Sequence, residues 1–363
     1  MRRPGKLDKE RSTLRRTQIR YARFMTSLDF GPATPLTSGP GVDVRANWTP
    51  DSAGVVFERL LGGTRGLYQV MADGSGLTDL TLCNLPGTKA TGRPAFFGLN
   101  DTELNKTQGV LASGGSVKKY GVAEVEAAKR PQGRCSRQEG NLGAVPGYPG
   151  IGATPYNFAF VSDRSGRPAL WRCNLSTGSV TPLVELSWAC HGPSIAAAER
   201  QTLLYFEQTK GQLFHVHLRD TDGGTLQLTT APGVQDQPWL LPDAGLFVYH
   251  AQKEGKNLIY LQSTTAGEPR VCLSFEDEGT ACVTPFPSPD GQWVAFSCTH
   301  SGISQVWVMR VDDTDRQQVT DGNPHSFPAW SPDGRNLVVV RGEPVAERPS
   351  GHLWTVPLRG YSA

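Results

Sequence analysis

Two stretches of the chain share one pattern of apolar and polar positions. Residues 325–341 read HSFPAWSPDGRNLVVVR, and residues 285–297 read PFPSPDGQWVAFS. In both, a proline-containing segment leads into Ser-Pro-Asp-Gly, and a mostly β-branched or aromatic run follows, as in strands that are buried in a sheet. The pattern predicts two antiparallel strands joined by a tight turn, and its recurrence indicates a repeat.

The Ser-Pro-Asp-Gly sequence supplies the turn. Pro332 fixes φ near the value that the second turn position needs, and Gly334 tolerates a positive φ. The Asp333 carboxylate can accept a hydrogen bond from a nearby backbone N–H. Shorter Pro-Asp copies occur at residues 50–51 and 242–243, so the same turn is expected there.

Weaker copies fill the gaps between these stretches. The equivalent positions before each turn are Asp43, Thr91, Pro146, Cys190, Gln235, Cys282 and His325, with steps of 48, 55, 44, 45, 47 and 43 residues. Four strands per unit at a period in the forties predict an all-β propeller with four-stranded antiparallel blades. We count seven blades. Six is the alternative, in which the region from Thr91 to Val145 folds outside the ring.

The last unit lacks the fourth strand with which other units end. Those strands read GLTDLT, TLQLTT and RQQVTD, and a similar signature stands at residues 32–39 as PATPLTSG. We expect this N-terminal segment to pair with residues 353–358 as the outer strand of the last blade, because an open seam would leave unpaired strand edges. Deleting residues 1–24 should then cost little stability, and deleting through Gly39 should lower the melting temperature sharply.

Positive charge is concentrated at the N-terminus. Residues 1–24 hold nine Arg or Lys and two acidic residues, so +7, whereas the whole chain is +2, which leaves −5 for the rest. This composition predicts a disordered basic extension over residues 1–24 and one propeller domain over residues 25–363, with Met25 as a candidate start. We do not expect the extension to bind nucleic acid.

Apolar runs in the chain are short. None reaches the roughly 18 residues of a membrane helix, and the N-terminal extension lacks the apolar core of a secretory signal. We therefore expect no membrane insertion and a cytoplasmic location, with a periplasmic or secreted location as the alternative if the true start differs.

Seven cysteines, an odd number without C-x-x-C spacing, do not form a disulfide framework. Cys282 and Cys298 flank one Pro-Asp-Gly hairpin almost symmetrically, so they should face each other across two strands. We expect two buried free thiols there, because free cysteine is among the most buried residue types. A bridge between them is the alternative.

Several of these stretches resemble a known family. FVSDRSGRPALWRCNLSTG and SPDGQWVAFS, with the later QVWVMRVDDTDRQQVTDG, are similar to the repeat of TolB-type propellers, which belong to a WD-like set. That set includes the oligogalacturonate lyases and the propeller domains of prolyl oligopeptidase relatives. The resemblance covers most of residues 43–360 and implies the fold. It does not imply one function, because propellers host many unrelated activities.

In a propeller the innermost strand of each blade begins at one face of the ring, and the second strand returns to that face. We call this the rim face. Fourteen residues are expected there: Asp43, Arg45, Arg59, Asp163, Arg164, His191, Gln235, Asp236, His250, Cys282, Cys298, His300, His325 and Arg341. The candidate binding residues among them are His191, Gln235, Asp236, His250, His325 and Arg341. His215 and His217 should lie on a third strand, away from the channel, where we expect blade packing or a surface position.

A divalent metal ion is a second hypothesis for the rim face. The resemblance implies a manganese site of three His and a Gln, as in the oligogalacturonate lyases, with a segment of the form Gln-x-x-His-x-His. The matching positions here are Gly322, His325 and Phe327, so the chain keeps one ligand. A different set, His191, Gln235, His250 and His325, could hold a divalent ion if three or more converge. We otherwise predict no cofactor.

The sequence lacks a G-x-S-x-G nucleophile elbow, so peptidase activity is not supported. We expect a monomeric, non-enzymatic binding or scaffold protein. Its protein, small-molecule or glycan partner would dock on the rim face, where loops of several blades meet. The alternative is a metal-dependent, carbohydrate-active enzyme resembling oligogalacturonate lyase.

Overall fold

The computed structural model describes residues 27–80, 90–96, 157–162, 165, 169–174, 180–184, 190–195, 203–208, 214–219, 224–242, 245–265, 270–277, 279–342 and 351–359. These residues form strands, turns and loops. Within these ranges no helix is long and apolar enough to cross a membrane.

The strands follow one another in blades. Two short strands come first: β1 (Asp29–Phe30) and β2 (Thr34–Pro35). The first blade contains β3 (Val42–Trp48), β4 (Gly54–Leu61), β5 (Thr64–Met71) and β6 (Thr78–Asp79). The second contains β7 (Ala90–Phe96), β8 (Asn157–Ser162), β9 (Ala169–Asn174) and β10 (Val180–Val184). The third contains β11 (Cys190–Ile195), β12 (Leu203–Gln208), β13 (Phe214–Arg219) and β14 (Thr225–Gln227).

The remaining blades repeat this order. The fourth contains β15 (Gln235–Leu240), β16 (Leu246–Lys253), β17 (Lys256–Ser263) and β18 (Arg270–Cys272). The fifth contains β19 (Cys282–Pro287), β20 (Trp293–Cys298), β21 (Gln305–Arg310) and β22 (Gln317–Gln318). The sixth contains β23 (His325–Trp330), β24 (Asn336–Gly342) and β25 (Gly351–Arg359). Within each blade, neighbouring strands pair in chain order and antiparallel, as the sequence predicted.

The described strands make six blades. Their first strands contact one another in sequence, from β3 through β23 and back to β3. Strand β7 pairs directly with β8, with Thr91 opposite Val161, although residues 97–156 separate them along the chain. The predicted unit at Pro146 falls in that separating stretch, outside the described residues. The count of seven is not confirmed, because the stretch from Thr91 to Cys190 has the length of two units but contributes one blade to the described ring.

The N-terminal segment completes the last blade, as predicted. Thr34 pairs antiparallel with Thr355, and Pro35 pairs with Trp354. Strand β1 pairs with the far end of β25, where Phe30 lies opposite Leu358. Backbone N–H groups of residues 36 and 37 also donate to the Leu353 carbonyl. The two ends of the described chain therefore share one sheet, which closes the ring.

The turns between the first and second strands follow the predicted chemistry. The Ser331 hydroxyl donates to Asp333 Oδ1 at 2.5 Å, and that oxygen also accepts from the Arg335 N–H at 3.0 Å. Gly334 has a φ of 72°. Ser288 and Asp290 form the same lock in the fifth blade, also at 2.5 Å. These aspartates are therefore held inside their turns, on the face opposite the rim.

The core lies between the blades. Large side chains near the ends of inner strands pack between blades; the Trp239 and Phe286 rings, for example, lie 4.4 Å apart between blades four and five. The Trp48 indole N–H donates to the Ala329 carbonyl at 3.2 Å, which ties blade one to blade six. Each blade thus buries its faces on its neighbours, as a propeller requires.

The expectation of two free thiols at positions 282 and 298 is wrong. The two residues are directly paired across β19 and β20, as predicted, with a Cα–Cα distance of 4.2 Å, and they form a disulfide. The short Cα–Cα distance belongs to a non-hydrogen-bonded pair of an antiparallel ladder, which brings the side chains close enough to bond. Sequence symmetry predicted the facing positions but not the bond.

Candidate functional site

Hydrogen-bonded pairs link consecutive blades at the rim face. His215 of β13 lies 2.8 Å (Nδ1 to Oε1) from Gln235, the first residue of β15. Gln305 of β21 makes the corresponding contact with His325, the first residue of β23, at 3.2 Å. The roles of the two residue types are exchanged between the two junctions. Each pair joins the third strand of one blade to the first strand of the next, so we call these pairs latches.

Both the oxygen and the nitrogen of the Gln235 side-chain amide make hydrogen bonds. The residue is fully buried. Its amide nitrogen donates to the carbonyls of residues 231 and 233 at 2.8 and 2.7 Å, and its oxygen faces His215. These bonds hold the loop that leads into β15. Both ends of the Gln235 amide are therefore engaged, and His215 is buried between blades as predicted.

His250 and Asp236 form a second kind of pair, within blade four. Asp236 Oδ1 lies 2.6 Å from His250 Nδ1, and the Asn257 side-chain oxygen lies 3.0 Å from Nε2. Burial disfavours the imidazolium, but the hydrogen bond and charge of Asp236 outweigh burial and raise the pKa of His250. Because the side-chain oxygens of Asp236 and Asn257 face the two ring nitrogens, both nitrogens act as donors in this arrangement, which leaves no lone pair for a metal ion.

The four candidate metal ligands do not form a metal site in the described part of the chain. His191 lies in β11 opposite Phe206, and its side chain falls outside what the structure describes. Gln235 and His250 are held by the bonds given above. Among the residues whose positions are described, no group of three His, Cys, Asp or Glu side chains could hold a metal ion.

A charged cluster closes the seam between blades six and one. Arg59 donates to the fully buried Asp43 through Nε at 2.5 Å and through Nη2 at 2.8 Å. The Thr37 hydroxyl of the N-terminal segment donates to the same carboxylate at 2.6 Å and accepts from the Leu353 N–H at 2.9 Å. This bidentate ion pair raises the pKa of Arg59, since the hydrogen bond to Asp43 outweighs burial.

Arg341 occupies the position in blade six that Arg59 occupies in blade one. Arg341 lies opposite His325 in the strand ladder, as Arg59 lies opposite Asp43. The partner in blade six is thus an imidazole instead of a carboxylate. The Arg341 guanidinium lies over the Trp354 ring at 4.3 Å, and its Nε is buried without a hydrogen-bond partner.

His325 and Arg341 line a cavity of about 700 Å³ between blades five and six. Its other walls are residues 30–33 of the N-terminal segment, residues 318–323 of the loop before β23, and Trp354. His325 is 4% exposed, and its Nε2 has no hydrogen-bond partner. Burial and the nearby Arg341 charge lower the pKa of His325, although the Asn323 carbonyl and the Asp321 charge oppose them. Two of the six predicted site residues therefore meet at one cavity.

Sequence analysis missed a strained position in the inner strands. Four residues there have a φ between 52° and 56°: Arg45, Gln237, Thr284 and Phe327. Each is the third residue of its unit, where the ladder register shifts. Such a φ is costly for residues other than glycine. The signal in the sequence is the alignment itself, because the unit that begins at Cys190 carries Gly192 at this position.

Comparison of the sequence with known proteins finds only a partial match. No family model matches the chain. An uncharacterized protein of Agrobacterium fabrum is 29% identical over 126 residues, which are 34% of this chain and 42% of that protein. The chain therefore matches less than half the length of this curated relative.

Solved structures match over most of the chain. TolB from Acinetobacter baumannii has a TM-score of 0.52 and 15% identity, and the match covers 89% of this chain and 64% of TolB. An oligogalacturonate lyase in complex with manganese has a TM-score of 0.51, 12% identity and coverage of 93% and 99%. The calcium-binding protein regucalcin from Agrobacterium tumefaciens has a TM-score of 0.55, 12% identity and coverage of 93% and 98%. At such identities the likeness shows the fold alone: the chain has the β-propeller fold of TolB and its structural relatives, as its repeats predicted.

Proposed function

We propose that this chain is a non-enzymatic binding protein whose partner docks on the rim face, over the cavity between blades five and six. The observation that carries the proposal is the pair of buried, unpartnered polar atoms at that cavity, His325 Nε2 and Arg341 Nε. Leaving such atoms unpaired costs on the order of 1–3 kcal/mol each. A bound partner that supplies the missing hydrogen bonds would recover that cost.

The other polar residues of the rim face support a scaffold role. The Gln235 side chain is hydrogen-bonded to His215 of the preceding blade. Within blade four, Asp236 is hydrogen-bonded to His250, which also contacts Asn257. The latches make the rim rigid, which suits a docking surface because little ordering is lost on binding. The likeness to TolB and to regucalcin is consistent with binding, since propellers present loops of several blades on one face.

Site-specific photo-crosslinking tests this proposal. A photoreactive amino acid at Asp321, exposed beside the cavity, would be compared with one at Arg335, exposed on the turn at the opposite face. In the producing cell, we expect a discrete crosslinked adduct from position 321 and none from position 335. Identical adducts from both positions, or none from position 321, would contradict docking on the rim face.

The enzyme alternative needs a metal ion. The similar oligogalacturonate lyase is described in complex with manganese, and His325 is the residue that this chain keeps at the matching segment. Elemental analysis after purification with manganese separates the two functions. We expect no stoichiometric manganese; one manganese ion per chain that is lost in His325→Ala would favour the enzyme.

The disulfide supports an oxidising location. Disulfides persist in exported proteins and are rare in reducing cytosol. The Cys282–Cys298 bond therefore favours the periplasmic or secreted alternative over the cytoplasmic expectation. Fractionation of the producing cell, followed by thiol labelling of the protein without a reducing agent, tests this location.

A further inference from the structure

We propose that the cavity between blades five and six binds a small carboxylate that carries a hydroxyl or amide N–H next to its carboxyl group. This inference rests on the proposed function and names the ligand chemistry of the same site. It follows from a comparison of two equivalent arginines within the molecule.

Arg59 shows how an arginine at this position of a blade's second strand binds a carboxylate. Its Nε and Nη2 take the two oxygens of Asp43, which is the fork geometry that guanidinium groups form with carboxylates. Arg341 stands at the same register position in blade six, but His325 replaces the acid. Among the described residues no carboxylate lies within ion-pair distance of Arg341, and its Nε is buried and unpartnered. A carboxylate that binds in the cavity would take this guanidinium as Asp43 takes that of Arg59, with the lining shifting to admit it to the buried Nε.

Stacking holds the Arg341 fork in place. The guanidinium carbon lies 4.3 Å from the centre of the Trp354 ring, and Trp354 is paired with Pro35 of the N-terminal segment. An arginine that is stacked on an aromatic ring loses little freedom when it binds an anion. Closure of the ring therefore also organises the cavity.

His325 supplies a hydrogen-bond acceptor. Gln305 donates from its amide nitrogen to the carbonyls of Gly322 and Asn323, at 3.3 and 3.1 Å, so its oxygen faces the imidazole. The Nδ1 of His325 must then carry the proton, which leaves a lone pair on Nε2. A ligand that places a carboxylate on Arg341 can therefore satisfy Nε2 with an O–H or N–H group.

The remaining walls select the charge and the size of the ligand. Phe30, Pro32, Ala33 and Val319 are apolar, which suits a hydrocarbon chain. Asp321 places a negative charge in the same lining, so a dianion such as phosphate is less favourable than a monocarboxylate. A volume of about 700 Å³ is typical of small-molecule sites and also admits two or three residues of a peptide C-terminus.

Isothermal titration calorimetry with four probes tests the proposal. The probes are 2-hydroxy-3-methylbutanoate, N-acetyl-Ala-Val with a free C-terminus, the C-terminal amide of that peptide, and inorganic phosphate. We expect at least one carboxylate probe to bind. The amide and phosphate should bind at least about tenfold more weakly, because the amide does not form the charged hydrogen bonds of a carboxylate with Arg341 and the phosphate dianion is repelled by Asp321. Preference for the hydroxy acid or for the peptide distinguishes a free acid from a peptide C-terminus.

Variants show whether Arg341 carries the binding. R341K keeps the charge but loses the fork, and R341M loses both, so affinity should fall about tenfold or more in each. The matched control is R335M, on the opposite face, which should bind as the wild type does. Melting curves confirm that each variant is folded; if R341M does not fold, R341K decides. Unchanged carboxylate binding by R341K and R341M, or no binding of any carboxylate, would overturn the cavity proposal. Neither outcome would affect the crosslinking test at Asp321, which examines the proposed function separately.

Discussion

At the scale of single residues, the rim face consists of two kinds of polar side chain. One kind makes hydrogen bonds to other residues of the protein, as Gln235, His215, Asp236 and His250 do. His325 and Arg341 differ from these, because the latch of His325 leaves Nε2 without a partner and Arg341 Nε has no partner either. A sequence cannot separate these cases, since Gln235 and His325 occupy equivalent positions in their units.

Gln235→Ala should therefore lower stability and leave carboxylate binding unchanged. The change leaves the His215 Nδ1–H and the carbonyls of residues 231 and 233 without their partner, at a cost of about 2–3 kcal/mol. Urea unfolding measures the loss. Gln252→Ala, an exposed glutamine in β16, is the control and should cost less than about 0.5 kcal/mol. Equal stability of the two variants would mean that the latch at Gln235 contributes little.

His217 makes stability depend on pH. Burial, and secondarily the charge of His215, lower the pKa of His217 to about 4, although Glu207 lies 4.0 Å from its Nε2. The unfolded chain binds a proton at this residue near pH 6.5, whereas the folded chain resists until about pH 4. The free energy of unfolding should thus fall as pH drops from 6.5 to 4, by about 2 kcal/mol from this residue.

His217→Phe isolates this contribution. The His217 ring stacks on Tyr205 with 5.6 Å between centroids, and phenylalanine can keep that contact. The difference in unfolding free energy between wild type and variant, measured at pH 7 and pH 4, should change in the variant's favour on acidification. A difference that does not change with pH would show that His217 titrates normally.

At the scale of elements, short local rules predicted much of the structure. The Ser-Pro-Asp-Gly turns, the four-strand order of each blade and the pairing of residues 34–35 with β25 all follow from the sequence. The blade count could not be predicted, because the stretch between β7 and β8 has roughly the length of a unit. The disulfide could not be predicted either, since sequence spacing gives facing positions but not bond formation.

The Cys282–Cys298 bond should stabilise the fifth blade. The two residues are 16 apart, and the chain-entropy account gives about 3 kcal/mol for a loop of that size. Dithiothreitol should therefore lower the melting temperature of the wild type but not of a C282A/C298A variant. Peptide mapping without reduction should recover the linked pair. Free thiols at both positions in protein purified from an oxidising compartment would contradict the bond.

At the scale of the whole molecule, the N-terminal segment performs two tasks. It closes the ring through β2, and it forms one wall of the cavity that contains Arg341. Thr37 links both ends of the chain, because its hydroxyl donates to Asp43 and accepts from the Leu353 N–H. Ring closure and the candidate site thus depend on the same N-terminal segment.

Thr37→Val should test that closure. The change removes both hydrogen bonds, one of them to a buried carboxylate, and should cost about 2–3 kcal/mol. Thr34→Val is the matched control, since the Thr34 hydroxyl makes an exposed bond to Thr355. Differential scanning calorimetry compares the two variants. Equal melting temperatures would show that the seam does not depend on Thr37.

The central claim is that His325 stands where Asp43 stands in blade one and so leaves Arg341 for a ligand. Carboxylate binding by His325→Asp, measured by titration calorimetry, tests this most directly. The new carboxylate should occupy the Arg341 fork as Asp43 occupies that of Arg59, so binding should weaken by about tenfold or more in a folded variant. Carboxylate binding as tight as that of the wild type would contradict the claim.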